Sequence, residues 1–230
     1  MATFADELKL SVTETWKKIL NHKFINEIYN DTLPIDKFIF YLKQDQIFLD
    51  EFCRFLRMVK QKSDDNIDLV KLFDSILYST VNFEMKMQDQ IIADCSDLTS
   101  PSSDIRRNHR HLLPSKTTLE YIFYLRQVST NGSMGECVSV IMPCPWTYLE
   151  IAQKLSKSRR IQDNQVFYKK WIRFYSSDDS YRQVNDLKKI LCVLADDEEE
   201  ADDKDKLAMK KHFATACRYE LLFWDMAYGN

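Results

Sequence analysis

Turn-forming residues are scarce in this chain: three glycines (Gly132, Gly135, Gly229) and five prolines in 230 residues. A fold of many short strands needs such residues at regular spacing, so their scarcity points to an all-α domain. Charge bias is missing too. The 32 basic and 35 acidic residues are mixed along the chain for a net charge of −3, which leaves no electrostatic footprint for nucleic acid or an anionic membrane. No apolar run approaches a membrane span, and Met1-Ala2-Thr3-Phe4-Ala5-Asp6-Glu7 has no basic flank before an apolar stretch, so a soluble, cytoplasmic protein is expected. The six cysteines (Cys53, Cys95, Cys137, Cys144, Cys192, Cys217) include neither a CxxC pair nor a histidine at zinc spacing. Most are expected to be reduced and packed as small apolar side chains. His109 and His111 lie in a polar segment that reads as a solvated loop, and no metal site is expected.

What the chain does carry is helical periodicity in a composition that is 45% hydrophobic. Residues 4–21 form a first helix through Leu8, Val12, Trp16, Ile19 and Leu20, and a short piece follows from His22 to Asp31. Leu33-Pro34 restarts the chain, with Thr32 as its cap and Asp36 in the first turn. From 35 to 61, Phe38, Tyr41, Leu42, Phe48, Leu49, Phe52, Leu56 and Val59 keep an i, i+3, i+4 rhythm. A helix over 65–95 carries Leu69, Leu72, Phe73, Ile76, Leu77, Val81 and Phe83. Pro101, Ser102, Ser103 and Pro114 mark 96–117 as a connection. Further helices are expected over 118–130, 134–142 and 146–156, through Phe167, Trp171 and Tyr175, and over 179–194 and 203–228, with the acidic run Asp196-Asp197-Glu198-Glu199-Glu200 as a solvated turn. With no repeat and no long linker, residues 1–230 read as one helical domain.

Two kinds of residue stand out from this pattern. Cys144 lies between Pro143 and Pro145, and Pro145 suits the first turn of a helix. The cysteine would then sit at or just before a helix N-terminus, where the macrodipole favours a thiolate. A small buried residue at a loop-to-helix junction is the alternative reading of the same pattern. Asp45, Glu84 and Glu220 each fall on an apolar helix face, where an ionisable group needs a partner or a job. Each is equally readable as a solvated helix edge.

Taken together, Tyr41-Leu42-x-Gln44-Asp45, Pro143-Cys144-x-Trp146-x-Tyr148 and Tyr219-Glu220-x-x-Phe223-Trp224-x-Met226-Ala227-Tyr228 resemble the TenA/thiaminase II family in order and spacing. Trp16, His22-x-Phe24, Leu33-Pro34-x-x-x-Phe38 and Trp171-Ile172-x-x-Tyr175 stand in the same register. The resemblance implies a heme oxygenase-like helical bundle that binds no heme. It also implies hydrolysis at the methylene of a 4-amino-2-methylpyrimidine: conversion of the 5-aminomethyl compound to the 5-hydroxymethyl pyrimidine for thiamin salvage, or cleavage of thiamin itself. By position, Cys144 matches the nucleophile, Glu220 the acid/base group and Asp45 the carboxylate that orients the pyrimidine. Tyr121, Tyr148 and Tyr175 match tyrosines lining the pocket. No metal or organic cofactor is implied, and a homotetramer or homodimer is.

The residue types suit that chemistry. A soft thiolate adds to the ring, and a carboxylic acid supplies a proton to the ring nitrogen. Glu220, among Phe223 and Trp224, would have its pKa raised by desolvation, while Asp45 would act as an ionised acceptor for the amino group and protonated ring nitrogen. Departures from the family pattern are Phe48, where many members have tyrosine, and Asp31-Thr32, where a glycine is usual before Leu33-Pro34. The segments 96–117 and 195–206 match nothing in the pattern. Two rival readings accompany this one: a non-catalytic pyrimidine-binding or regulatory homologue, and a redox enzyme of a related bundle, for which no N-terminal histidine is placed as a haem ligand.

Overall fold

The regular structure of the computed structural model, which describes residues 2–63, 66–98, 113–159, 161, 166–196 and 203–229, is helical throughout. Helix α1 (Phe4–Ser11) opens on a capping box: Thr3 accepts from the Asp6 N–H and the Asp6 carboxylate accepts from the Thr3 N–H. The expected first helix is in fact two, because Val12 leaves helical geometry before α2 (Thr13–Leu20) begins. In α3 (Lys23–Asn30), His22 Nδ1 caps the Phe24 N–H, and Asp31 ends the helix at φ 58 in the left-handed region. Asparagine and aspartate tolerate that region better than other non-glycine residues, which accounts for Asp31 where glycine is usual. Thr32 is not the cap expected of it. Its N–H and hydroxyl both return to the Glu27 carbonyl, and Pro34 precedes α4 (Ile35–Gln61) with no side-chain cap.

The helix expected over 65–95 is α5 (Ile67–Ser79), a π-helical segment at Thr80–Glu84, and α6 (Met85–Leu98) in series. A wider turn of this kind advances the inward face along the chain. Leu69, Phe73, Ile76 and Thr80 face inward, but the next inward positions are Glu84 and Gln88, while Phe83 is 53% exposed. Phe83 and Val81 therefore leave the apolar face on which straight α-helical spacing would put them.

The chain continues as α7 (Lys116–Asn131), α8 (Met134–Ile141), α9 (Pro143–Leu155), α10 (Val166–Tyr175), α11 (Asp178–Asp196) and α12 (Asp203–Gly229). One contiguous apolar core draws side chains from every helix. Helix α12 packs on α8, α2, α9 and α7, while α4 packs on α7, α5 and α6. Gly135 makes room for Met209 of α12 against α8, since a Cβ there would stand 2.8 Å from Met209 Sδ. Fully buried Gln44 ties the start of α7 to α4. Its Oε1 accepts from the Ser115 N–H (2.9 Å) and the Thr118 hydroxyl (2.6 Å), and its Nε2 donates to the Leu113 carbonyl (3.1 Å). His109, His111, most of the expected 96–117 connection and the acidic run beyond Asp196 lie outside the described residues. Among the described residues no helix is long and apolar enough to cross a membrane.

Candidate active site

Helix α9 begins at Pro143, earlier than expected, so Cys144 is its second residue. Neither flanking proline forfeits a hydrogen bond, because the first N–H groups of a helix have no intrahelical partner. Cys144 is partly exposed, and it stands where two spaces meet. The inner one is a tight space closed in by Asp45, Phe48, Tyr121, Cys144, Tyr148, Glu220 and Phe223. The outer is a narrow cleft of about 40 Å³ whose polar lining is Thr80, Glu84, Cys144, Tyr148, Tyr175, Ser180 and Gln183.

Around the inner space each polar group is held by a named partner. The Tyr121 hydroxyl donates to Glu220 Oε1 at 2.8 Å, and the Tyr121 ring stacks on Tyr219 with centroids 4.9 Å apart. Phe48 lies against Tyr121 at 4.8 Å, so it forms wall. Gln88 Nε2 donates to Asp45 Oδ2 at 2.6 Å, and the Tyr41 hydroxyl approaches the same oxygen at 3.4 Å. Tyr41 accepts in turn from Trp171 Nε1 at 3.2 Å and lies 3.3 Å from the Tyr148 hydroxyl. Tyr175, expected with the other pocket tyrosines, faces the outer cleft instead, where its hydroxyl donates to Glu84 Oε1 at 2.6 Å.

Three carboxyl groups and a thiol thus share one buried region. Among the described residues no lysine or arginine forms an ion pair with any of the three acids. Burial raises Glu220 to about 7 against the opposing Tyr121 hydrogen bond, and it raises Glu84 to about 7 against hydrogen bonds from Tyr175 and Thr80. Asp45 is pushed well above the ordinary carboxylate range by burial and then by the Glu84 charge, with Gln88 opposing. The Cys144 thiol is also pushed well up, by burial and then by Glu220, Asp45 and Glu84. For the free protein these shifts run against both expectations, since burial disfavours the Cys144 thiolate and the ionised form of Asp45. At Cys144 the roughly half positive charge of the helix end opposes desolvation and three nearby acids.

Cys144, Glu220, Asp45, Tyr121, Tyr148 and Phe48 converge on the inner space, while Tyr175 stands one shell outward in the cleft. Glu84, which stood out in the sequence as an ionisable group on an apolar face, and Tyr41, part of the motif around Asp45, complete the polar set with Gln88, which sequence reasoning did not single out. A signal for Gln88 existed, since it lies four residues after Glu84 on the same helix face. Among the described residues no group of three or more His, Cys, Asp and Glu side chains is arranged to hold a metal ion.

Comparison with known proteins points to one family. The aminopyrimidine aminohydrolase of Halalkalibacterium halodurans is 29% identical over 228 residues, covering 99% of this chain and 96% of that protein. The solved structure of a TenA homologue from P. horikoshii OT3 superposes with a TM-score of 0.83 at 24% identity, covering 99% of each chain. A Shewanella denitrificans domain with a heme oxygenase-like fold superposes at 0.72 and 14% identity, covering 98% of this chain and 92% of that one, so the bundle is of that fold. With the family model for TENA/THI-4/PQQC matching residues 10–230, the chain belongs to the TENA/THI-4/PQQC family.

Proposed function

We propose that this protein is a hydrolase that converts 4-amino-5-aminomethyl-2-methylpyrimidine to the 5-hydroxymethyl pyrimidine with release of ammonia, a thiamin-salvage reaction, and that it cleaves thiamin by the same route. The observation that carries the reading is the convergence of Cys144, Glu220 and Asp45 on one narrow aromatic-walled space. A full-length relative named for aminopyrimidine hydrolysis supports it.

In this reading the ring lies between Tyr121 and Tyr148, which part slightly to admit it, and Asp45 faces its amino group and ring nitrogen. A protonated ring supplies the cation the site lacks, so binding favours the ionised form of Asp45, which accepts a charge-assisted pair. Cys144 Sγ bonds to the ring carbon next to the one bearing the methylene. Its proton passes through Glu220 to the ring nitrogen, so S–H adds across the C=N bond with no net change of charge. A pKa near 7 suits Glu220 to receiving and delivering that proton. The exocyclic C–N bond then breaks and ammonia departs with a proton. Water adds to the methylene, giving up a proton to the site, and Cys144 leaves as the ring is restored. Thiol and carboxylate carry one proton between them in the active form, so the buried thiol needs no independent ionisation. Thiamin fits the scheme with its thiazolium as leaving group.

Incubation with the aminomethyl pyrimidine tests the proposal. Stoichiometric ammonia and hydroxymethyl pyrimidine are expected, and binding of the pyrimidine without ammonia release contradicts it.

A further inference from the structure

We infer that the Glu84 carboxylate is the subsite for the protonated amine on the substrate's methylene, and so makes the protein prefer a cationic leaving group to a neutral one. This rests on the pyrimidine reading above and adds a specificity determinant to it. Thiol addition occurs beside the carbon that bears the methylene, so the departing group lies within a few bonds of Cys144 Sγ. Cys144 is where the inner space gives way to the outer cleft, so that group points into the cleft. Among the described lining residues there, Glu84 is the one ionisable acid or base besides Cys144, Tyr148 and Tyr175, and the other polar groups, Thr80, Ser180 and Gln183, are neutral.

Glu84 is set in place by two devices. The π-helical segment that ends on it turns Glu84 rather than Phe83 toward the cleft, and such segments recur at functional sites. The Tyr175 hydroxyl then holds Oε1 at 2.6 Å, leaving the carboxylate capacity to accept further hydrogen bonds. Among the described residues no lysine or arginine forms an ion pair with it, so a positive partner for this carboxyl group in the cleft has to come from outside the fold.

The test uses the Cys144→Ser protein, which binds without turnover in this account, with and without Glu84→Gln. Glutamine keeps an acceptor for Tyr175 and nearly the same volume, and circular dichroism checks the fold. Calorimetry gives dissociation constants for the aminomethyl pyrimidine, cationic at neutral pH, and for the neutral hydroxymethyl pyrimidine. Glu84→Gln should weaken the aminomethyl compound by roughly 10- to 100-fold, the loss of a hydrogen bond to a charged group, and change the hydroxymethyl compound less than about twofold. Equal weakening of both, or of neither, overturns the assignment while leaving the pyrimidine site in place. If the parent protein binds neither compound, the underlying reading itself fails and the inference falls with it.

Discussion

Replacing Tyr121 by phenylalanine removes one oxygen and leaves the ring that stacks on Tyr219 and packs against Phe48. The lost atom donates to Glu220 at 2.8 Å. A donor to a carboxylate favours the ionised form, so its removal raises the Glu220 pKa from about 7. A hydrogen bond to a charged group contributes about 1.5–3 kcal/mol, and one pKa unit corresponds to about 1.4 kcal/mol, so the upward shift is roughly one to two units. The active pair needs Glu220 ionised while Cys144 keeps its proton, so kcat rises with pH through the Glu220 titration. In Tyr121→Phe that acidic limb should move up by the same one to two units. Turnover near neutrality should fall by roughly 5- to 50-fold, and the high-pH plateau should match the wild type. A pH–rate profile of ammonia release reads both. A limb that stays in place, or a loss equal at every pH, refutes the assignment of Glu220 as the proton carrier.

Other outcomes follow from the same buried acids. Glu220 is 3% exposed and raised from 4.5 to about 7, so its contribution to stability is complete below pH 4.5 and is lost as pH rises through 7. Glu220→Gln should therefore match the wild type in denaturant unfolding at low pH and exceed it above neutrality by about 3 kcal/mol, while turnover falls by roughly 10²–10⁴-fold. A variant less stable than wild type at high pH contradicts the burial argument. Gln88→Leu removes the donor 2.6 Å from Asp45 and should raise KM for the aminomethyl pyrimidine about tenfold with little change in kcat. A loss confined to kcat would instead place Gln88 in the chemical steps.

Much of this was legible in the sequence, and the exceptions have physical reasons. Scarce glycine and regular apolar spacing are enough for a helical bundle, and Asp45, Glu220 and Cys144 stand out as reactive residues on apolar faces or between prolines. Val12 escaped notice because an apolar residue at helical spacing does not reveal a break in backbone geometry. The π-helical segment escaped for a related reason: one displaced residue swaps Phe83 for Glu84 on the inward face without disturbing local composition. Charge balance among Asp45, Glu84, Glu220 and Cys144 depends on their sharing one region, and residues from four separate stretches of chain reveal that only when folded. Burial of the whole group opposes the Cys144 thiolate that the helix end alone would favour.

That the Cys144 thiol carries the reaction is tested most directly by ammonia release from the aminomethyl pyrimidine, measured side by side for the wild-type protein and Cys144→Ser. Steady turnover is expected of the wild type and background release of the variant, which still binds the hydroxymethyl pyrimidine. Full turnover by Cys144→Ser, or tight binding with no turnover by the wild type, would contradict it.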